Sequence, residues 1–162
     1  MRSLPSQLCA NFAARMKDIL MNELISLLHQ GRYSCVIRHQ SEVRTFSSRG
    51  IFDLFRLLRD KPGFLRGACV ADKVVGKGAA ALMVLGGVKA VHADVVSSPA
   101  LAVLRSAGID IQFDTEVPHI QNRQGTGWCP VETLCRDLSA PEDMLPLIAH
   151  FVEEASGRSA AR

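Results

Sequence analysis

The sequence predicts an α/β domain of three layers, α-β-α, in which helices cover both faces of a mixed sheet that starts with a β-hairpin. Three observations carry that reading. Two short β-rich runs, residues 33–38 and 42–46, flank a polar turn at His39-Gln40-Ser41. Downstream, helix-like and strand-like segments alternate, the pattern of parallel strands joined by crossover helices. Hydrophobic residues make up 48% of the 162 and charged residues 22%, enough apolar side chain for a packed core.

The elements follow in order. Over residues 11–29, Met16, Ile19, Leu20, Leu24, Leu27 and Leu28 recur at helical spacing, and Gly31 supplies the stop. After the hairpin, Ser47 or Ser48 caps a helix whose Ile51, Leu54, Phe55 and Leu58 share a face, ending before Pro62-Gly63. The next helix is expected from Asp72 to Leu85, with Asp72 as N-cap and Gly86-Gly87 as stop. Its interior holds Gly76 and Gly78, each costing about 1 kcal/mol against alanine, so close packing on the sheet is expected to offset them. Residues 89–96 read as a buried strand. Ser98 then caps a helix with Pro99 at its first position and Gly108 after its end. Ile109, Ile111 and Phe113 alternate with Asp110, Gln112 and Asp114, a strand with one wetter face. Residues 118–128 are polar and irregular, a short helix follows Cys129, and a terminal helix spans 141–154. The implied organisation is an N-terminal extension at 1–19 leading into the first helix, one domain at 20–155 and a flexible tail at 156–162.

Several function classes fall away on composition. No apolar run reaches the roughly 18–20 residues of a membrane span, so no membrane partner is expected. Five cysteines (Cys9, Cys35, Cys69, Cys129, Cys135) lie scattered without framework spacing, as reduced thiols of a cytoplasmic protein would. The first residues lack the apolar stretch of a signal peptide. A net charge of +3 permits phosphate contact without demanding nucleic acid. There is no P-loop, dinucleotide fingerprint or nucleophile elbow.

In open α/β sheets ligands settle beyond the carboxyl ends of parallel strands, where helix N-termini point exposed N–H groups at anions. Asp72-Lys73 and Ser97-Ser98 fall at two such places, and Lys73 and Lys77, four apart, add positive charge for a phosphate. The plainer alternative makes Asp72 and Ser98 simple caps and the lysines a solvated face. Asn122-Arg123 sit in the longest irregular stretch, where Arg123 could fork onto a phosphate. Trp128 stacks on a base or lids the core. Cys129-Pro130-Val131-Glu132 has the layout of a helix start, which would favour a thiolate at Cys129 with Glu132 as proton carrier. Against this stands the ordinary fate of free cysteine, a small buried hydrophobe. A metal set of His119, Cys129 and Cys135 does not match zinc spacing. His92 and Asp94 share one face of a strand, either as a catalytic pair or as a histidine packed beneath a helix.

The element order resembles the cytidine-deaminase-like fold, in which the helix after the hairpin opens with His-x-Glu and a later strand runs into Pro-Cys-x-x-Cys. Here the compared stretches are Val70-Ala71-Asp72-Lys73-Val74 and Ser97-Ser98-Pro99-Ala100-Leu101-Ala102-Val103. Ala100 and Val103 stand at the cysteine positions and cannot ligate zinc, so neither metal nor cofactor is expected. Tyr33-Ser34-Cys35-Val36, Arg49-Gly50-Ile51, Ala71-Asp72-Lys73-Val74-Val75-Gly76-Lys77, Leu85-Gly86-Gly87-Val88, Asn122-Arg123 and Trp128-Cys129-Pro130-Val131-Glu132 together are similar to an uncharacterised bacterial family of this fold that lacks the zinc ligands. The resemblance implies a domain without deaminase activity that binds a nucleotide-like or nucleoside-like ligand or RNA. Two other readings stay open: a cysteine-dependent enzyme using Cys129 on a small metabolite, and a homo-oligomer formed through the apolar face of the first helix.

Overall fold

The computed structural model describes residues 5–48 and 50–161. Residues 1–4, Arg49 and Arg162, with their parts of the expected extension, of the Arg49-Gly50-Ile51 stretch and of the tail, lie outside the described residues.

Five strands form one sheet in the order β2-β1-β3-β4-β5. β1 (Cys35–His39) and β2 (Glu42–Phe46) are the expected hairpin, paired from Cys35↔Phe46 to His39↔Glu42. β1 also runs antiparallel to β3 (Cys69–Val75), and β3, β4 (Ala90–Ser97) and β5 (Asp110–Val117) are parallel to one another. One face carries α1 (Ser6–Gln30), whose Met21, Leu24 and Leu28 pack on Val36, Ala71 and Ala90. The other carries α2 (Phe52–Asp60), α3 (Pro62–Leu65), α4 (Lys77–Gly86), α5 (Ser98–Ser106) and α7 (Pro141–Ala160), over Ile37, Val70, Val75, Val91 and Ala93. α6 (Pro130–Leu134) lies against α4 and α7. This is the three-layer mixed α/β arrangement that the alternation of elements implied.

Four local expectations need correction. Asp72 does not cap a helix; it is the fourth residue of β3, and α4 starts five residues later at Lys77 with Gly76 as its cap. Apolar residues stand on both faces of this central strand, so it lacks a two-residue alternation, and Val70-Ala71 and Val74-Val75 merge with the apolar helix that follows. Ser97, not Ser98, caps α5: its Oγ accepts the Ala100 N–H at 3.2 Å, and Pro99 moves to the second position. Ser47 and Ser48 leave α2 uncapped, Ile51 occupying that place, while the Ser48 carbonyl accepts the Ser34 hydroxyl at 2.7 Å. α7 runs on through Gly157 to Ala160, where a loose tail was expected.

α1 has two halves with different surroundings. Its C-terminal half is pinned to the sheet, whereas Leu8, Phe12, Met16 and Ile19 form an exposed apolar stripe on the N-terminal half.

The glycines of α4 are explained by helix contacts rather than by the sheet. A Cβ on Gly78 would lie 2.3 Å from Cγ1 of Val131 in α6, and one on Gly86 would lie 2.8 Å from Leu65 in α3. Val131 is buried and β-branched, so it has little room to turn away. Gly78→Ala gains up to about 1 kcal/mol of helix propensity but incurs about 1–3 kcal/mol of overpacking. A net destabilisation is expected in urea unfolding; a more stable variant would show that Val131 yields.

Candidate functional site

The parallel strands β3, β4 and β5 all end at one edge of the sheet, and the segment from 118 to 140 folds back across it. A miniature ladder closes the start of that segment. Asn122 N–H donates to the Gly127 carbonyl, Cys129 N–H to the Ile120 carbonyl, both at 2.8 Å, and Gln121 bridges Trp128. Inside it, the Asn122 side-chain oxygen accepts the N–H of Thr126, four residues on, at 3.1 Å, so the amide is used within the loop.

The fold-back delivers Glu132 to the start of α4. Glu132 is 2% exposed, and its Oε2 accepts the Lys77 N–H at 2.8 Å. Only glycine at 76 permits this approach, because a Cβ there would lie 2.6 Å from the same oxygen. The first N–H groups of a helix lack partners within it and carry positive partial charge, so a carboxylate is well placed there. The anion position of α4 is therefore filled by the protein's own side chain. Lys77 closes a second link, its ammonium donating to the Arg136 carbonyl at 2.9 Å just beyond α6. Glu132 Oε1 has no hydrogen-bond partner among the described residues.

Cysteines gather at the same spot. Cys129 is the cap residue of α6, partly buried, and its thiol makes no capping hydrogen bond. With only five residues, α6 supplies little of the helix field that would activate a thiol. Cys135 is fully buried, and burial pushes its thiol up to about 11; the Lys77 charge pulls against that and Glu132 adds to it. Trp128 is stacked by His119 at 4.4 Å and nearly parallel, with the Arg136 guanidinium 4.7 Å from its ring. Its π surface is thus spent largely on the protein. Beside Lys77 an open cleft of about 420 Å³ runs between α4, α5 and the approach to α7, walled by Val84, Pro99, Val103, Leu138 and Pro141.

A family model described as "Domain of unknown function (DUF1893)", TM1506, matches residues 23–152. The chain belongs to the DUF1893 family. The crystal structure of a DUF1893 family protein (TM1506) from Thermotoga maritima superposes with a TM-score of 0.74 at 23% identity, covering 81% of this chain and 88% of that one. Identity at that level shows the shared fold alone. No curated protein matches the sequence.

In this DUF1893 domain, identifying β3 as a strand moves the comparison with zinc deaminases by one element. The helix after the hairpin is α2, opening Ile51-Phe52-Asp53, and the helix after the next strand is α4, opening Gly76-Lys77-Gly78. Neither start, nor Ser97-Ser98-Pro99-Ala100 at α5, carries a histidine or cysteine, so a zinc set of His and two Cys has no ligands there.

The residues singled out by sequence divide into groups. Lys77, Cys129 and Glu132 come together, with Cys135 as the member that spacing alone did not reveal. Ser97 is buried as a cap, and Ser98 donates to Glu116 Oε1 at 2.7 Å, tying α5 to the end of β5. Arg123 is exposed on the loop. Asp72 and Lys73 sit within β3, away from any helix start: Lys73 N–H pairs with the Ser34 carbonyl, and Asp72 lies opposite Cys35 of β1. Burial drives the Asp72 carboxyl up to about 7, although the Val74 N–H and the Cys35 thiol, both donating to it, pull the other way. Burial, followed by the neighbouring Asp72 charge, holds the Cys35 thiol well above its ordinary value.

Two outcomes test these placements. Glu132→Ala removes a buried charged acceptor from the Lys77 N–H, and a loss of about 1.5–3 kcal/mol is expected in chemical denaturation; an unchanged midpoint would refute the capping role. For Asp72, the folded value of about 7 lies above the unfolded value of about 3.9. The folded state then binds more protons between those values, so Asp72's contribution to stability is present below pH ~4 and fades as pH rises through ~7. Asp72→Asn keeps an oxygen for the Val74 N–H. It is expected to flatten this part of the pH profile and to gain stability over wild type at about pH 8; a parallel profile for the two proteins would refute the assignment.

Proposed function

We propose that this DUF1893 domain is a binding domain for a small nucleoside-like or nucleotide-like ligand, held in the cleft beside Lys77, and that it does not carry out zinc-dependent deamination. The observation that carries the reading is the cleft itself, which opens from the starts of α4 and α5 at the carboxyl edge of the parallel strands. Its volume of about 420 Å³ suits a small organic molecule. Val84, Val103 and Leu138 offer a flat body an apolar wall, while Ser106 and Ser139 supply hydroxyl groups. The ammonium of Lys77 is the cation for a phosphate, and Arg123 is not among the residues that wall the cleft. The element order, a hairpin and then three parallel strands each followed by chain that covers one face, supports the likeness to the cytidine-deaminase-like fold. The missing zinc ligands set the activity of those enzymes aside.

Asp72, Lys73 and Ser97 lie outside this cleft and take no part in it. The anion is also not expected at the α4 N–H groups, because Glu132 already accepts there.

A thermal-shift screen of nucleosides and nucleotides tests the proposal. A ligand present at a hundred times its Kd stabilises by about 2.7 kcal/mol, a rise of roughly 5–10 °C for a chain of this size. Ala102 is exposed on α5 and lines the cleft, so Ala102→Trp is expected to abolish the shift while leaving the unliganded Tm near wild type. No shift with any nucleotide at millimolar concentration, or a shift that survives Ala102→Trp, overturns the reading. If RNA were the ligand instead, affinity would fall steeply with added salt.

A further inference from the structure

We propose that His92, Asp94 and Asp114 form a binding site for a divalent transition-metal ion, zinc foremost, on the sheet face covered by α1, with His29 hydrogen-bonded to Asp94 from outside the ligand set. The site lies away from the α4–α5 cleft and is independent of the function proposed above.

Three elements build it. Alternation along β4 turns His92 and Asp94 to the same face, and the parallel register, Ala93↔Phe113 and Val95↔Thr115, brings Asp114 of β5 level with Asp94. The last turn of α1 then delivers His29 from 65 residues away in sequence. His29 Nε2 lies 2.8 and 3.0 Å from the two oxygens of Asp94. His92 Nε2 lies 3.2 Å from Asp94 Oδ1 and 3.9 Å from Asp114 Oδ2. Ligating atoms of His92, Asp94 and Asp114 all fall within 4.8 Å of one another. Donors held tetrahedrally about 2.0–2.1 Å from an ion stand roughly 3.3 Å apart, and the observed separations straddle that value.

Hydrogen bonding within the cluster does not use these groups well. The His92 side chain is only 6% exposed, its Nε2 faces two carboxylates at once, and its Nδ1 is buried with no partner. One ring proton at Nε2 points at one carboxylate, which leaves the second carboxylate facing the first with no donor of its own from the ring. A shared cation removes that conflict at Nε2, since His92, Asp94 and Asp114 can each donate an electron pair to it. The C-terminal end of α1 adds negative partial charge nearby. Access is open, because His29 is 46% and Asp114 64% exposed. A buried imidazole among two carboxylates favours zinc, cobalt or nickel over calcium and magnesium, which prefer all-oxygen shells.

The test uses the whole chain, stripped with a chelator and then titrated with Zn²⁺ by calorimetry and with Co²⁺ by visible absorption. One equivalent is expected to bind, Tm to rise with added Zn²⁺, and the Co²⁺ spectrum to show d–d bands without thiolate charge-transfer absorption. His29→Ala and Asp114→Asn alter exposed side chains and should leave folding intact, yet each is expected to weaken binding by at least about tenfold. No saturable binding at millimolar Zn²⁺, sulfur charge-transfer bands that place the ion on the cysteines, or wild-type affinity in the double variant would each overturn the site.

Discussion

The contact between the Glu132 carboxylate and the Lys77 N–H organises the carboxyl edge of the sheet. It joins a helix start that directly follows a central strand to a one-and-a-half-turn helix 55 residues downstream. Gly76 admits the carboxylate, Gly78 admits Val131 beside it, and the Lys77 ammonium fastens the far end of α6 through the Arg136 carbonyl. The small residues of α4 are therefore the mould into which the fold-back segment fits. In many α/β proteins a helix start of this kind takes an anionic ligand. Here the protein supplies the anion itself.

The two faces of the sheet are chemically distinct. Under α2, α4, α5 and α7 the strands present Ile37, Val70, Val75, Val91 and Ala93, an apolar floor. The exception is Asp72, held beside Cys35 with a proton affinity raised by burial. Under α1 the coverage is partial. α1 packs on β1 and β3, so the same face of β4 and β5 carries His92, Asp94, Gln112, Asp114 and Glu116. Charged side chains along β5 also protect an exposed sheet edge from pairing with another chain. The edge strand thus places Asp114 where His92 of the neighbouring strand can meet it, while His29 of the helix meets Asp94 of β4.

Legibility from sequence varied with the number of faces each element buries. α1 and β5 showed clear periodicity, and β5 was the plainest, since Ile111 and Phe113 alternate with exposed Asp110, Gln112 and Asp114. The hairpin was legible instead from its polar turn, and β4 as a short apolar run between turn and cap signals. β3 was not legible. Its burial does not alternate, since Val70, Ala71 and Asp72 are buried in succession and the apolar Val74 is exposed. Its single acid resembles a helix cap, and the alanine-rich α4 follows after one glycine. That one misreading carried Asp72 and Lys73 to a helix start they do not occupy and displaced the comparison with zinc deaminases by an element. The serine caps show the finer limit: Ser97 and Ser98 are equivalent in type, and only the hydrogen bond to Ala100 N–H selects between them.

By itself the sequence determined the class of the domain and the membership of Cys129 and Glu132 in one local motif, because each follows from residue type and short-range spacing. Tertiary structure decided what those residues do. Whether Glu132 carries a proton or holds a helix depends on what lies against it, and the answer is an N–H 55 residues away. The meeting of His29 with Asp94, 65 residues apart, is set in the same way, by strand register and the seating of α1. Periodicity reports which face of an element is buried; it carries no information on which distant side chain the buried face will meet.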